Sequence, residues 1–467
     1  MDSILVKGGY VIPVDGKRRI IKDGYIYVSG GKIEALGKID DSKVKEFEHS
    51  ADEVIDASDC VITPGFIDTH VHLAQALLRS AVPDDIPLIT WLRDWVWVMQ
   101  GVYDHEDGRV SASLCVLEML RTGTTCFLEA GFHSRYGFDG IAEVVKQSGI
   151  RGILSKKFMD LTGYAEEEQI IPQGMIEDGR ACVREFKEMH RRWAGVEGRL
   201  DVWIGLRTPG AVSDELFLES AELAQEYNSG ITMHLAEVKE DIEYFKSRGT
   251  TPSGFLEKRN LLGRKRVYAH CVWFNDEDIR IFAATGTGVA HCPSSNMKLG
   301  SGIAPVKEML RAGVLVGLGC DGGPSNDAYD MIREMKTAAL LQKIRHNDPR
   351  GFTAWDALEI ATIGGARALG LENQIGSLEV GKKADIIIIN FKTPSVKPVT
   401  NPLSLIIYSA TGLDIRDVII DGRVIVRDKK VLTLDEDRIY KEAEERKERI
   451  LEKAGKTREH EKLFNNI

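Results

Sequence analysis

The amino-acid sequence predicts an α/β protein: a (β/α)8 TIM barrel with a small β-sandwich built from both chain ends. Three observations support this prediction. Strand-like runs alternate with helical stretches through the middle of the chain, and short β-rich segments occur at both ends. In addition, five of the eleven histidines fall at the carboxyl ends of predicted strands, a placement that chance would rarely produce.

The barrel pattern occupies the middle of the chain. Its strands are predicted at 65–72, 124–130, 152–158, 201–209, 230–237, 266–271, 287–293 and 313–321. The residues predicted to end the preceding helices in a left-handed conformation are Gly123, Gly149, Gly230, Gly286 and Gly313. Eight strands alternating with helices form a (β/α)8 barrel. The first connection, residues 73–103, is unusually long and is predicted to lie over the barrel mouth.

The domain organisation follows from the same patterns. Residues 64–374 are predicted to form the barrel, and 1–63 plus 375–432 a composite β-sandwich. Residues 433–467 are charged and helix-prone, which predicts an amphipathic surface helix with a frayed tail.

Composition narrows the class of protein. The formal net charge of -10, without a basic stripe, argues against nucleic acid as a partner. No stretch approaches the roughly 20 apolar residues that a membrane span needs. The seven cysteines are widely spaced and include no CxxC pair, which favours a reducing compartment over a disulfide framework. We therefore expect a cytoplasmic protein with no membrane partner.

The predicted strand ends carry candidate metal ligands. His70 and His72 lie two residues apart on one strand, so both side chains point to the same face, here the barrel interior. These two imidazoles suit a divalent transition metal. A third imidazole from His234 and a carboxylate from Asp321 would complete a site with one position left open for water. Buried histidines satisfied by hydrogen bonds would explain any one of these residues, but not the whole set.

Two further polar residues are candidates for acid–base chemistry. Glu237 lies three residues after His234, where it can exchange protons with a metal-activated water without binding the metal. His270, at the end of the sixth strand, can hydrogen-bond the nucleophile or the developing negative charge. Taken alone, Glu237 would be read as a solvated loop residue and His270 as a core histidine.

Longer motifs carry a resemblance to a known family. The segments "PGFIDTHVH", "HLAE", "AHCPSSNMKLGSGIAPV", "GLGCDGGPSND" and "IGSLEVGKKADIIIIN" resemble the amidohydrolase superfamily, in its branch of aminohydrolases acting on heteroaromatic rings. The resemblance covers nearly the whole chain. It implies one Zn²⁺ per chain, with Fe²⁺ as the alternative, bound by His70, His72, His234 and Asp321. It also implies catalytic roles for Glu237, His270 and Asp321 in hydrolytic deamination.

The sequence indicates the substrate ring less clearly than it indicates the metal site and the reaction. Gln75 and Arg207 match residues of guanine deaminases, which makes guanine the leading prediction. The segment after the eighth strand, together with the overall likeness, favours s-triazine hydrolases or thioadenosine and adenosylhomocysteine deaminases instead. The further candidate substrate contacts are Gln100, His291, Trp91 and Ser325. We expect a small heteroaromatic substrate and a homo-oligomer, most simply a dimer.

Overall fold

The computed structural model describes residues 3–465. The N-terminal segment forms strands β1 (Ser3–Lys7), β2 (Tyr10–Val11), β3 (Ile21–Lys22), β4 (Gly24–Ser29), β5 (Lys32–Lys38), β6 (Glu53–Asp56) and β7 (Cys60–Pro64). Helix α1 (Val44–Ser50) interrupts them before β6. The short strands and intervening turns match the β-rich pattern expected for this end of the chain.

The barrel strands follow in sequence. They are β8 (Phe66–His72), β9 (Thr124–Glu129), β10 (Arg151–Phe158), β11 (Leu200–Leu206), β12 (Ile231–Leu235), β13 (Arg266–His270), β14 (Gly288–His291) and β15 (Leu315–Leu318), with a short β16 (Asp321–Gly322). Neighbouring strands pair in parallel in this order, and β15 pairs with β8 to close the sheet. The predicted barrel is therefore confirmed, and each predicted strand overlaps an observed one.

The helices around and above the barrel differ in length. They are α2 (Leu88–Trp91), α3 (Trp97–Gln100), α4 (His105–Arg121), α5 (Phe138–Ser148), α6 (Gly179–Trp193), α7 (Asp214–Glu226), α8 (Lys239–Ser247), α9 (Pro252–Glu257), α10 (Asp276–Thr285), α11 (Pro293–Lys298), α12 (Val306–Ala312), α13 (Gly323–Asn326), α14 (Met331–His346), α15 (Ala354–Ile360) and α16 (Ile363–Leu369). Gly149 ends α5 with a φ of 82°, as predicted. Gly230 does not cap a helix, because α7 already ends at Glu226; it lies instead against Trp203, whose ring leaves no room for a Cβ.

The two chain ends share additional sheets. Strands β17 (Ile386–Asn390), β18 (Ile415–Ile420), β19 (Arg423–Arg427) and β20 (Lys430–Val431) join β7, β2 and β3 in a seven-stranded sheet, with β17 antiparallel to β7. The remaining four strands form the sheet β5-β4-β1-β6. One apolar cluster contains residues from both sheets, among them Val6, Ile26, Ile62 and Ile388. The predicted pairing of the two ends is confirmed, while the exact domain boundaries stay a prediction.

The C-terminal region packs along the barrel. After α17 (Pro402–Tyr408), helix α18 (Glu436–Lys453) lies against α4, where Glu442 pairs with Arg109 at 2.5 Å. A second helix, α19 (Thr457–Asn465), occupies most of the segment expected to be a frayed tail. Within residues 3–465, no helix is both long and apolar enough to cross a membrane.

Candidate active site

Strand pairing assembles the centre of the site at the carboxyl ends of the barrel strands. His70 and His72 lie on β8 and are almost completely buried. Strand β16 pairs with the end of β8, so that Asp321 stands opposite Val71. This pairing brings the carboxylate beside the two imidazoles, although 249 residues separate it from the nearer one. The closure of the barrel therefore builds half of the site.

The third imidazole completes a compact cluster. His234 on β12 places its Nε2 atom 3.1 Å from Nε2 of His72. The Oδ1 atom of Asp321 lies 3.4 Å from Nε2 of His70 and 3.3 Å from Nε2 of His72. One potential ligand atom from each of the four residues falls within 4.8 Å of all the others. The structure thus brings together the four ligands predicted from sequence.

The cluster has the chemistry of a metal site. Both ring nitrogens of His70 are buried without a hydrogen-bond partner among the described residues, which is rare for a buried imidazole. The lone pairs of two nitrogens 3.1 Å apart repel unless a proton or a cation lies between them. Burial lowers the pKa of His72 and of His234 well below the usual value, which keeps these imidazoles in the neutral, metal-binding form. Three nitrogens and one carboxylate suit zinc or iron.

Hydrogen bonds hold the ligands in place. Ser295 and Ser325 donate to Oδ2 of Asp321 at 2.6 and 3.1 Å, which leaves Oδ1 turned toward the histidines. Burial would raise the pKa of Asp321, but the neighbouring imidazoles of His70, His270 and His72 hold it well below its usual range. Nδ1 of His234 lies 3.1 Å from the backbone oxygen of Arg207. These outer contacts fix the orientation of the ligand atoms.

The two predicted acid–base residues lie side by side. Oε2 of Glu237 is 3.6 Å from Nε2 of His270, and both side chains are almost fully buried. Burial raises the pKa of Glu237, although the neighbouring His270 acts in the opposite direction. The carboxylate of Asp241 accepts hydrogen bonds from the backbone N–H groups of Glu237 at 2.7 Å and Val238 at 3.4 Å, and so positions the residue next to the cluster.

The backbone is strained at the same strand ends. Three residues without a glycine's freedom adopt left-handed φ angles: Ala236 at 50°, His270 at 72° and Asp321 at 65°. Such conformations cost on the order of 1–3 kcal/mol each and persist only where the surrounding structure enforces them. Here they turn His270 and Asp321 toward the cluster. Sequence patterns carry no signal for this strain.

The predicted substrate contacts fall into two groups. Gln75 follows the ligand strand in a 3-10 helix (Leu73–Leu78), and its buried Oε1 atom has no described hydrogen-bond partner. His291 has neither ring nitrogen paired within the described residues, and burial with the charge of His270 lowers its pKa to about 3. Both present unused polar atoms. The hydroxyl of Ser325, by contrast, already donates a hydrogen bond to Oδ2 of Asp321.

The first connection is buried against the barrel. It contains α2, a π-helical turn (Leu92–Val96) and α3, a combination often associated with functional segments. Trp91 and Gln100 are 4% and 3% exposed. Trp97 lies under the guanidinium group of Arg207, whose Cζ is 5.6 Å from the ring centroid. The π-helical turn begins directly after Trp91 and contains Trp95.

Several residues of the site were missed by the sequence analysis. Asn296 accepts a hydrogen bond from Nδ1 of His270 over 2.9 Å. Ser295 and Asn296 stand in the segment "AHCPSSNMKLGSGIAPV", which served above only to show the family resemblance. Asp241 and Lys157 were missed entirely, because each resembles an ordinary surface charge until its burial is known.

A parallel (β/α)8 barrel with a buried His/His/His/Asp cluster at its carboxyl face defines a metal-dependent hydrolase. The chain belongs to the amidohydrolase family, whose model matches residues 61–425. This confirms the resemblance found in the sequence and the prediction of an enzyme that hydrolyses C–N bonds.

Comparison with known proteins extends over nearly the full length. The chain is 38% identical to 5-methylthioadenosine/S-adenosylhomocysteine deaminase of Desulforudis audaxviator, over 96% of this chain and 99% of that protein. It is 37% identical to 5'-deoxyadenosine deaminase of Methanosarcina acetivorans, over 97% and 100%. A zinc-bound crystal structure of an adenosine deaminase from Xanthomonas campestris matches with a TM-score of 0.88 and 29% identity, over 96% and 98%.

Proposed function

We propose that this enzyme hydrolytically deaminates a 6-aminopurine nucleoside modified at its 5' position, such as 5'-deoxyadenosine or 5'-methylthioadenosine. The observation that carries the proposal is the four-ligand cluster with Glu237 and His270 beside it. Guanine, the leading prediction from Gln75 and Arg207, has less support. The relatives that match 96% or more of this chain are named for adenosine-type substrates.

The four ligands would hold one ion, for which zinc is the first choice and iron the alternative. The unpartnered nitrogens of His70 and the mixed nitrogen and oxygen donor set fit such an ion. When bound, the ion supplies Lewis acidity that lowers the pKa of water toward neutrality. The surrounding protein excludes bulk water, since all four side chains are less than a tenth exposed.

Glu237 is positioned to move the protons of the reaction. Its raised pKa makes the carboxylate a stronger base toward a proton of the attacking water. The same carboxyl group then delivers that proton to the purine ring nitrogen beside the amine. The new hydroxyl group on the ring carbon supplies the second proton, which passes through Glu237 to the exocyclic nitrogen. The C–N bond then breaks, ammonia leaves and the ring carbon keeps the oxygen as an oxo group.

His270 orients the attacking water. The bond between its Nδ1 atom and Oδ1 of Asn296 places the proton on Nδ1, which leaves Nε2 as an acceptor. That nitrogen faces Glu237 at 3.6 Å. A water molecule between these groups would donate one hydrogen to each of them, so that its oxygen lone pair points toward the ring carbon.

Ammonia release from a substrate panel tests this proposal. Metal-replete enzyme is assayed with 5'-deoxyadenosine, 5'-methylthioadenosine, guanine and a chlorotriazine, with Glu237→Gln as the inactive control. We expect an adenosine-type compound to have the highest kcat/KM. A higher kcat/KM for guanine than for the adenosine-type compounds would favour guanine deamination instead. Chloride release without ammonia would favour a triazine hydrolase. Turnover of none of the four would contradict the proposal.

A further inference from the structure

Two buried cations lie at adjacent strand ends close to the ligand cluster. Lys157 is the penultimate residue of β10, and Arg207 directly follows β11. Their exposed fractions are 4% and 7%. Burying a charged group is costly unless an opposite charge compensates it, so their surroundings indicate what they bind.

Strand geometry directs both side chains to the barrel interior. Lys156 faces the outer helices, where its Nζ atom lies 2.8 Å from Glu177. Because side chains alternate along a strand, Lys157 points to the opposite side, into the barrel. Lys157 stands opposite Gly205 in the parallel pairing, and Arg207 lies two residues beyond Gly205. Lys157 and Arg207 therefore share one face.

Neither cation has a carboxylate partner. Across residues 3–465, no acidic oxygen lies within ion-pair distance of Lys157 or Arg207. Both cations lie near aromatic rings. Nζ of Lys157 is 5.9 Å from the ring centroid of Tyr136, and the guanidinium group of Arg207 lies over the ring of Trp97. The hydroxyl of Tyr136 is itself buried without a described partner. The Tyr136 hydroxyl and the two cations are thus left without polar side-chain partners in the same part of the barrel interior.

Glu129 and Glu177 both favour the charged form of Lys157, but neither forms an ion pair with it. Glu129, on the neighbouring strand β9, accepts the backbone N–H groups of Leu73 at 2.7 Å and Gly131 at 3.2 Å. Burial raises the pKa of Glu129 to about 8, although Lys157 acts in the opposite direction. Burial, followed by the charge of Arg207, lowers the pKa of Lys157 to about 7, as expected for a cation without a counter-ion.

We propose that Lys157 and Arg207 form an anion subsite, so that the preferred substrate carries a carboxylate or an acidic oxo group in addition to its amine. The inference rests on the proposed deaminase function and adds a charge requirement to it. Tyr136 would donate a third hydrogen bond from its unpartnered hydroxyl. A guanidinium, an ammonium and a phenol converging on one region suit an anionic oxygen pair.

Matched ligand pairs test the charge requirement without turnover. The first pair is adenosine-5'-carboxylate and 5'-deoxyadenosine, which differ only by a carboxylate in place of a methyl group. The second is adenine-2-carboxylate and adenine, which moves the charge to the ring. Dissociation constants are measured by calorimetry on metal-free enzyme, so that the carboxylate cannot bind an active-site metal.

We expect the anionic member of one pair to bind at least about tenfold more tightly than its neutral partner. Preference in the first pair would place the charge on the sugar side, and preference in the second would place it on the ring. Lys157→Met should abolish the preference while changing the affinity for the neutral member less than about twofold. The control Lys246→Met removes an exposed lysine from α8 and should leave the preference unchanged.

Equal affinities within both pairs for the wild-type enzyme would overturn the inference, as would a preference that survives both Lys157→Met and Arg207→Met. The wild-type result decides even if a variant fails to fold. Failure of the two proposals can be distinguished. Ammonia release from neutral adenosines without any anion preference contradicts only the subsite, whereas anion preference without deamination of any panel compound contradicts only the proposed reaction.

Discussion

Nδ1 of His270 lies 2.9 Å from Oδ1 of Asn296, and this hydrogen bond leaves the opposite ring nitrogen facing Glu237. Asn296 belongs to α11, whereas His270 ends a barrel strand with a left-handed backbone. The contact therefore joins two elements and sets which nitrogen of the imidazole carries the proton. The neighbouring Ser295 holds Asp321 in the same way, so one short helix positions two functional groups.

Replacing Asn296 tests this positioning role. Asn296→Ala removes the acceptor, and we expect kcat to fall about 10- to 100-fold with a smaller change in KM. Asn296→Asp keeps an acceptor at the same position, should recover much of the loss and should shift the pH profile by making His270 more basic. Met297→Ala, an exposed position on the same helix, is the matched control. Equal effects of the alanine and aspartate variants would argue for a purely structural role.

Removal of the proton-transferring group is expected to uncouple metal binding from catalysis. Glu237→Gln preserves the size of the side chain but cannot accept a proton, so kcat should fall by a factor of about 100 to 10,000. Metal content should not change, because Glu237 is outside the four-ligand cluster. Steady-state kinetics and elemental analysis of the same preparation check both parts. A variant that retains wild-type activity would assign proton transfer to another residue.

The sequence predicted the barrel and the metal ligands because both depend on local pattern. The alternation of strands and helices marks the fold, and the position of His70, His72 and His234 at strand ends marks the site. Other features depend on contacts between distant segments. Lys157 and Asp241 differ from surface charges only in their burial, and the left-handed φ of Asp321 has no local signature. The π-helical turn likewise arises from packing of the first connection.

Asp241 is expected to make stability depend on pH. Burial, together with the charge of Glu237, raises its pKa to about 7 from a usual value of 3.8. Between about pH 4 and about pH 7 the folded state therefore holds a proton on Asp241 that the unfolded state has lost. The contribution of Asp241 to the free energy of unfolding declines as pH rises through this range. Asp241→Asn keeps an oxygen for the N–H groups of Glu237 and Val238. Its unfolding free energy should fall less steeply over this range.

Urea unfolding of both proteins at several pH values measures the difference. One titrating group can contribute a slope of at most about 1.4 kcal/mol per pH unit. Acids that do not interact with Asp241 affect wild type and variant alike, so the difference between the two curves reports Asp241 and its coupling to Glu237. Parallel curves from about pH 4 to pH 7 would show that this carboxyl group titrates as it does in water.

Metal affinity is expected to depend on the hydroxyl that holds Asp321. Ser295→Ala removes the 2.6 Å hydrogen bond to Oδ2, which should weaken metal binding about 10- to 100-fold. Competition with a chelator measures the affinity. Ser220→Ala, which removes a buried hydroxyl bonded only to its own helix, is the control. Unchanged affinity in Ser295→Ala would mean that Ser325 alone suffices to orient the carboxylate.

The central claim is that His70, His72, His234 and Asp321 bind one metal ion, and anomalous X-ray diffraction at the metal absorption edge tests it most directly. We expect one peak about 2.0–2.2 Å from a nitrogen of each histidine and from an oxygen of Asp321. The peak should disappear in His234→Ala and remain in His49→Ala, which removes an exposed histidine from α1, outside the barrel. A wild-type crystal grown with zinc that shows no peak between these four residues, or a peak elsewhere, would contradict the account.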